Sequence, residues 1–169
     1  MDIRPEDAIG YWLFYAQRCV EYAFLEVLRQ CCIERGKTYV VTPAQWGLLS
    51  LLYEQDGATI GTISQVRGFD APTITGIVKR VEQNGLVRRR HDRTDRRVVK
   101  VYLTDEGREI LPHLFKAVAK FNATMVQDFS ASEEKEMLQK LQQIIANMSL
   151  VAPGTGDRFH LLPGHINEV

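Results

Sequence analysis

A change of apolar period in the middle of the chain restricts the folds open to it. Ile74, Ile77, Val78 and Val81 stand at i, i+3, i+4 and i+7, the spacing of one helix face, whereas Val99, Val101 and Leu103 alternate as a half-buried strand does. Val87 to Arg90 is a second candidate strand. Gly85 closes the helix before it, and His91-Asp92-Arg93-Thr94-Asp95-Arg96-Arg97 joins it to the next. So charged a segment buries poorly and must project from a hairpin. The helix in front of this hairpin carries Thr73, Thr75, Gly76, Lys79 and Arg80 away from its apolar row.

Capping signals place the other helices. Apolar residues at spacings of three and four from Ile9 through Trp12, Ala16, Cys19, Ala23 and Val27 predict a long helix over 8–34, and residues 36–41 are a connection. Thr42-Pro43-Ala44-Gln45 is a capping box with proline at the first helical position, opening a helix that points Trp46, Leu49, Leu52 and Tyr53 inward and stops near Asp56-Gly57. Thr59 caps a short helix with Ile60, Ile63 and Val66, ended by Gly68, and Asp70 caps the next. Two short helices joined by a glycine-containing turn, the second with a polar and basic outer face, form a helix-turn-helix, which presents side chains to the major groove of duplex DNA. Thr104 with Asp105 and Glu106 starts a fifth helix, and Ser130 with Glu133 a sixth; Ile110, Leu111, Leu114, Val118, Phe121 and Met125, then Met137, Leu138, Leu141, Ile144, Ile145 and Met148, form packing seams. From Val151 onward prolines and glycines recur without a period. The fold class is mainly α with a small β-hairpin.

The formal net charge is zero over 169 residues, which at first argues against a polyanionic partner. The distribution reverses this. Between Lys79 and Lys100 nine basic residues stand against three acidic ones, a net +6 offset by −6 elsewhere. Six arginines fall within residues 88–97 and repel one another unless a polyanion is near. No metal-ligand spacing, phosphate loop or nucleophile motif occurs, and the four histidines are scattered, so no catalytic or metal site and no cofactor is expected. No apolar run is long enough to span a bilayer, and the acidic start MDIRPEDAIG lacks the pattern of a secretion signal; a cytoplasmic location is expected, with no membrane partner. Cys19, Cys31 and Cys32 read as reduced, half-buried thiols.

In this order of elements the chain resembles the MarR family of winged helix-turn-helix transcriptional regulators over residues 8–149. Three stretches carry the likeness: TPAQWGLL at 42–49, TITGIVKRVEQNGLVRR at 73–89, and Asp95-Arg96-Arg97 with VVKVYLTDEG at 98–107. The resemblance implies a winged helix-turn-helix at 42–104, a helical dimerisation region at 1–41 and 105–150, and a flexible tail at 151–169. It implies a homodimer acting on double-stranded DNA at a pseudo-palindromic operator, as a ligand-responsive repressor. Pro72, Thr73, Thr75, Gly76, Lys79 and Arg80 are then the recognition-helix residues, and Arg93, Asp95, Arg96 and Arg97 those of the wing. An arginine of the family's wing enters the minor groove, steered by an aspartate two residues earlier, and Arg97 and Asp95 match those places. A narrow minor groove concentrates negative potential, which suits a guanidinium. Position 76 departs from the pattern, because many members carry a longer, often basic side chain there.

The family also implies a small aromatic acid or phenol as effector, for which Trp12, Tyr15, Arg18, Trp46 and His113 are the candidate ligand-binding residues, rings for stacking and cations for a carboxylate. A thiol-based redox-sensing regulator is an alternative. Relatives that sense organic peroxides carry a cysteine near the start of the first helix, where Tyr11 stands here, with Cys19 two turns later. The other alternative, a winged-helix protein-interaction module, would have no need of an arginine-rich loop.

Overall fold

The structure, a computed structural model, describes residues 4–152; the tail expected from composition lies, beyond residue 152, outside the described residues. After a 3-10 turn at Pro5–Asp7 the order is α1 (Ile9–Glu34), α2 (Pro43–Glu54), β1 (Ala58–Thr59), α3 (Ile60–Arg67), α4 (Ala71–Gln83), β2 (Val87–His91), β3 (Val99–Leu103), α5 (Asp105–Met125) and α6 (Ala131–Val151). The helix starts are those their caps dictate. Thr42 and Gln45 form both halves of the box before α2, Ser130 and Glu133 do so before α6, and Thr59, Asp70 and Thr104 each accept the backbone N–H three residues on. Gly68 ends α3 at φ +66°, a left-handed conformation that glycine adopts without steric cost.

The sheet is antiparallel in the order β1-β3-β2, with Val87 opposite Leu103 and Arg89 opposite Val101 in the hairpin. Sequence periodicity missed β1, since two residues carry no period. Its partner supplies the strand: Ala58 pairs with Val101 and Thr59 with Lys100. Gly57, at φ +84°, lies under the Tyr102 ring, where a Cβ would come within 2.7 Å of a ring carbon.

The core gathers Leu28 and Cys32 of α1, Leu48, Leu49 and Leu52 of α2, Ile63 of α3, Ile74, Val78 and Val81 of α4, Leu86, Leu103 and the first half of α5. Two inward expectations change here. Tyr53 is exposed, its ring set edge-to-face against Phe115, because Leu48 and Leu51 share the inward arc of α2 with Leu49 and Leu52, and Val66 is exposed on α3. The apolar arc of α1 is covered only near its C-terminal end, and α6 buries no residue at all. Ile9, Trp12, Met137, Leu138, Leu141 and Met148 are exposed apolar side chains on these helices.

α5 is joined tightly to the base of the hairpin. Thr104 donates its N–H to Leu86 O and its hydroxyl to Gly85 O, at 3.0 and 2.6 Å. Gly107 follows because the helix runs against the Leu86 carbonyl, where a Cβ would lie 2.2 Å from the oxygen. Asp56 ties the loop after α2 to the same joint, accepting from Leu103 N–H at 2.8 Å and pairing with Arg108. Lys37 and the Tyr39 hydroxyl both reach Glu106, at 2.9 and 2.6 Å, and so tether the connection after α1 to the first turn of α5. Among the described residues no helix is long and apolar enough to cross a membrane, and no three His, Cys, Asp or Glu side chains gather to hold a metal.

Candidate nucleic-acid interface

α4 begins at Asp70, whose carboxylate accepts the Thr73 N–H at 2.7 Å, with Pro72 in the first turn, where its missing N–H costs nothing. Ile74, Ile77, Val78 and Val81 are buried, which leaves Pro72, Thr73, Thr75, Lys79 and Arg80 exposed on the opposite face and Gly76 half-buried between them. The Thr75 hydroxyl donates back to Ala71 O at 2.8 Å. A Cβ built on Gly76 meets nothing within 4 Å, so packing inside the chain does not require glycine there.

The hairpin is fastened to α4 through Glu82. Its carboxylate accepts the Arg89 backbone N–H at 3.0 Å and Nε at 2.8 Å, and pairs with Nη2 at 2.6 Å. Arg89 therefore belongs to the scaffold, and the mutual repulsion expected among the six arginines is relieved in part inside the chain. Arg88 and Arg90 remain exposed on the strand.

The loop between the strands is built on two aspartates. Asp92 Oδ1 accepts from Thr94 N–H, Thr94 Oγ1 and Asp95 N–H at 2.8, 2.5 and 3.2 Å, while Oδ2 pairs with Lys100 Nζ at 2.7 Å. Asp95 accepts Arg97 N–H at 3.0 Å and grips the guanidinium through Nε at 3.1 Å and Nη2 at 3.2 Å. The Arg97 side chain is nonetheless 92% exposed, and Arg93 and Arg96 are exposed beside it. The His91 ring nitrogen Nδ1 lies 2.7 Å from Arg96 O. The hydrogen bond to Lys100, followed by those to Thr94 and Asp95, holds the Asp92 carboxyl well below the usual range; Arg97 lowers Asp95 and Arg89 lowers Glu82. All three carboxylates stay ionised throughout the neutral range.

Asp92, Glu82 and Arg89 did not stand out in the sequence as more than charges. The Asp-x-Thr-Asp spacing at 92–95 was the available signal, because aspartate turns onto backbone N–H groups two and three residues ahead.

The five candidate ligand residues do not converge. His113 lines an open groove of about 740 Å³ between α1 and α5, with Cys19, Cys31, Arg35, Lys116 and Phe121 among its walls. Trp46 instead packs edge-on against Phe115, ring centroids 4.8 Å apart. Trp12 donates its indole N–H to Glu6 O, Tyr15 packs on Tyr11 and Phe14, and Arg18 lies over the Phe14 ring, all on the exposed first half of α1. Of the thiols, Cys19 is exposed, while burial pushes those of Cys31 and Cys32 up and lowers their thiolate fraction at neutral pH.

The model of the MarR family matches residues 41–99, from just before the α2 cap to the start of β3, and so takes in both α4 and the loop. The HTH-type transcriptional regulator YsmB of Bacillus subtilis (strain 168), itself uncharacterised, is 34% identical over 119 residues, 69% of this chain and 82% of that protein. Among solved structures, a probable transcriptional regulator from Pseudomonas aeruginosa is 27% identical with a TM-score of 0.71, covering 84% of this chain and 100% of the other. The transcriptional repressor CouR, bound to a 23-mer DNA duplex, is 26% identical with a TM-score of 0.69, covering 86% and 99%.

Proposed function

The chain belongs to the MarR family of winged helix-turn-helix transcriptional regulators, and from that premise we propose that it works as a homodimeric repressor, with α4 in the major groove and Arg97 in the flanking minor groove of each half-site. Its partner is duplex DNA and its role is transcriptional regulation. It acts by binding rather than catalysis, in the cytoplasm, where the DNA it reads is held.

One observation carries the placement of the wing. Arg97 is almost fully exposed yet held by its own aspartate, so a planar, permanently charged group stands ready at the tip of the hairpin. Pro72, Thr73, Thr75 and Gly76 near the start of α4 face base edges, and Lys79 and Arg80 hold phosphates. Homodimerisation is supported by α6, which buries nothing within the chain while carrying an apolar seam; a second copy covers that seam together with the exposed arcs of α1 and α5. A small aromatic acid or phenol is the effector class. Within the α1–α5 groove Phe121 offers a ring, His113 a ring N–H, and Lys116 and Arg35 cations to a carboxylate.

The test is titration of the purified protein against a duplex it selects from a random-sequence pool, over a range of salt. Affinity falls steeply with rising salt, and Arg97→Ala weakens it by about 1–3 kcal/mol without dissociating the dimer. Indifference to salt and to Arg97→Ala would leave only a winged-helix module that binds protein.

A further inference from the structure

We propose that Asp92 is a positioning residue for the DNA contact of the wing: its carboxylate sets the turn on which the Asp95–Arg97 pair is mounted. The inference rests on the reading that Arg97 contacts DNA. Among the described residues the Arg97 guanidinium donates its hydrogen bonds to Asp95, which is in the same loop. The direction of the guanidinium is therefore inherited from the backbone at Asp95.

That backbone is set in turn by Asp92. One oxygen receives the N–H groups of both Thr94 and Asp95 and the Thr94 hydroxyl, and the other holds Lys100 from the far strand. Asp92 N–H to Val98 O and Val98 N–H to Asp95 O, each 2.9 Å, close the loop around this carboxylate. Two aspartate turns thus stand in series: Asp92 orders residues 94–95, and Asp95 orders residue 97. A loop ordered before binding does not lose that freedom on the DNA, and this is where the gain in affinity arises.

Simple electrostatics predicts the opposite sign. Removing an acid beside six arginines raises the charge of the wing and should tighten phosphate binding. Asp92→Ala and Asp92→Asn remove the same charge, but asparagine keeps a carbonyl to accept the Thr94 and Asp95 N–H groups.

The experiment titrates four variants of the full chain, Asp92→Ala, Asp92→Asn, Arg97→Ala and the Asp92→Ala/Arg97→Ala double variant, against the pool-selected duplex. Asp92→Ala is expected to bind about tenfold more weakly, Asp92→Asn within about threefold of the parent, and the double variant no worse than Arg97→Ala alone. Rescue by asparagine and the missing additivity are readouts that general loosening of the fold would not produce. Unchanged or tighter binding by Asp92→Ala, equal losses for Ala and Asn, or additive losses would overturn the role of Asp92 while leaving the wing contact standing. No loss on Arg97→Ala would overturn both.

Discussion

The Glu82 carboxylate, in the last turn of α4, holds Arg89 of β2 by its backbone N–H and its guanidinium together. The hairpin is thereby given a fixed orientation relative to the helix beside it, and the two elements proposed to contact DNA are joined directly. Backbone and side-chain bonds from one residue to one carboxylate resist both sliding and rotation, which a single ion pair does not.

Glu82→Gln is expected to keep the fold but loosen this joint, lowering stability by about 1 kcal/mol given the partial exposure of the pair. The pH dependence has a definite sign. The folded carboxyl sits below its ordinary value of 4.5, so unfolding takes up protons, and the stabilisation is complete above that value and is lost as pH falls through the lower folded one. Acid unfolding of the parent and the variant, followed by circular dichroism, should converge as the pH drops; a gap that persists in acid would rule out this pair as its source.

Gly76→Ala should move stability and affinity in opposite directions. The added Cβ meets no atom of the chain, and alanine is the better helix former by about 1 kcal/mol, so the melting temperature rises. If the glycine brings α4 close to the bases, binding to the selected duplex weakens while binding to unrelated DNA does not. Equal or tighter specific binding by the alanine variant would show the glycine to be merely tolerated.

Gly107→Ala should destabilise the winged lobe by about 3 kcal/mol, because the obstructing atom is the Leu86 carbonyl oxygen at 2.2 Å, a backbone group that cannot swing aside. Denaturant titration reads this directly. A variant as stable as the parent would mean that α5 leaves the hairpin base at little cost.

Leu138→Glu with Leu141→Glu should yield a monomer in sedimentation equilibrium, where the parent chain is expected to sediment as the proposed dimer. Both side chains lie on α6, which buries nothing in its own chain, so the winged core should melt as before while operator binding collapses. An intact dimer would place the interface elsewhere.

Much of this architecture was legible in local signals. A cap and its partner lie within three residues of each other, and an apolar row repeats within two turns, so Thr42, Asp70, Thr104 and Ser130 marked their helices and Val99, Val101 and Leu103 marked β3 without any distant information. The segregation of charge that singled out the hairpin was equally visible. Tertiary structure decided what depends on residues far apart. Asp56 meets Leu103 across 47 residues and Arg108 across 52, and β1 exists because β3 offers its edge. It made Arg89 a structural clamp rather than a free cation, and it left Trp12, Tyr15, Arg18 and Trp46 outside the groove that His113 lines. It also left the seams of α1 and α6 uncovered. Periodicity tells which side of a helix is apolar; only packing decides whether its own chain or another surface buries it.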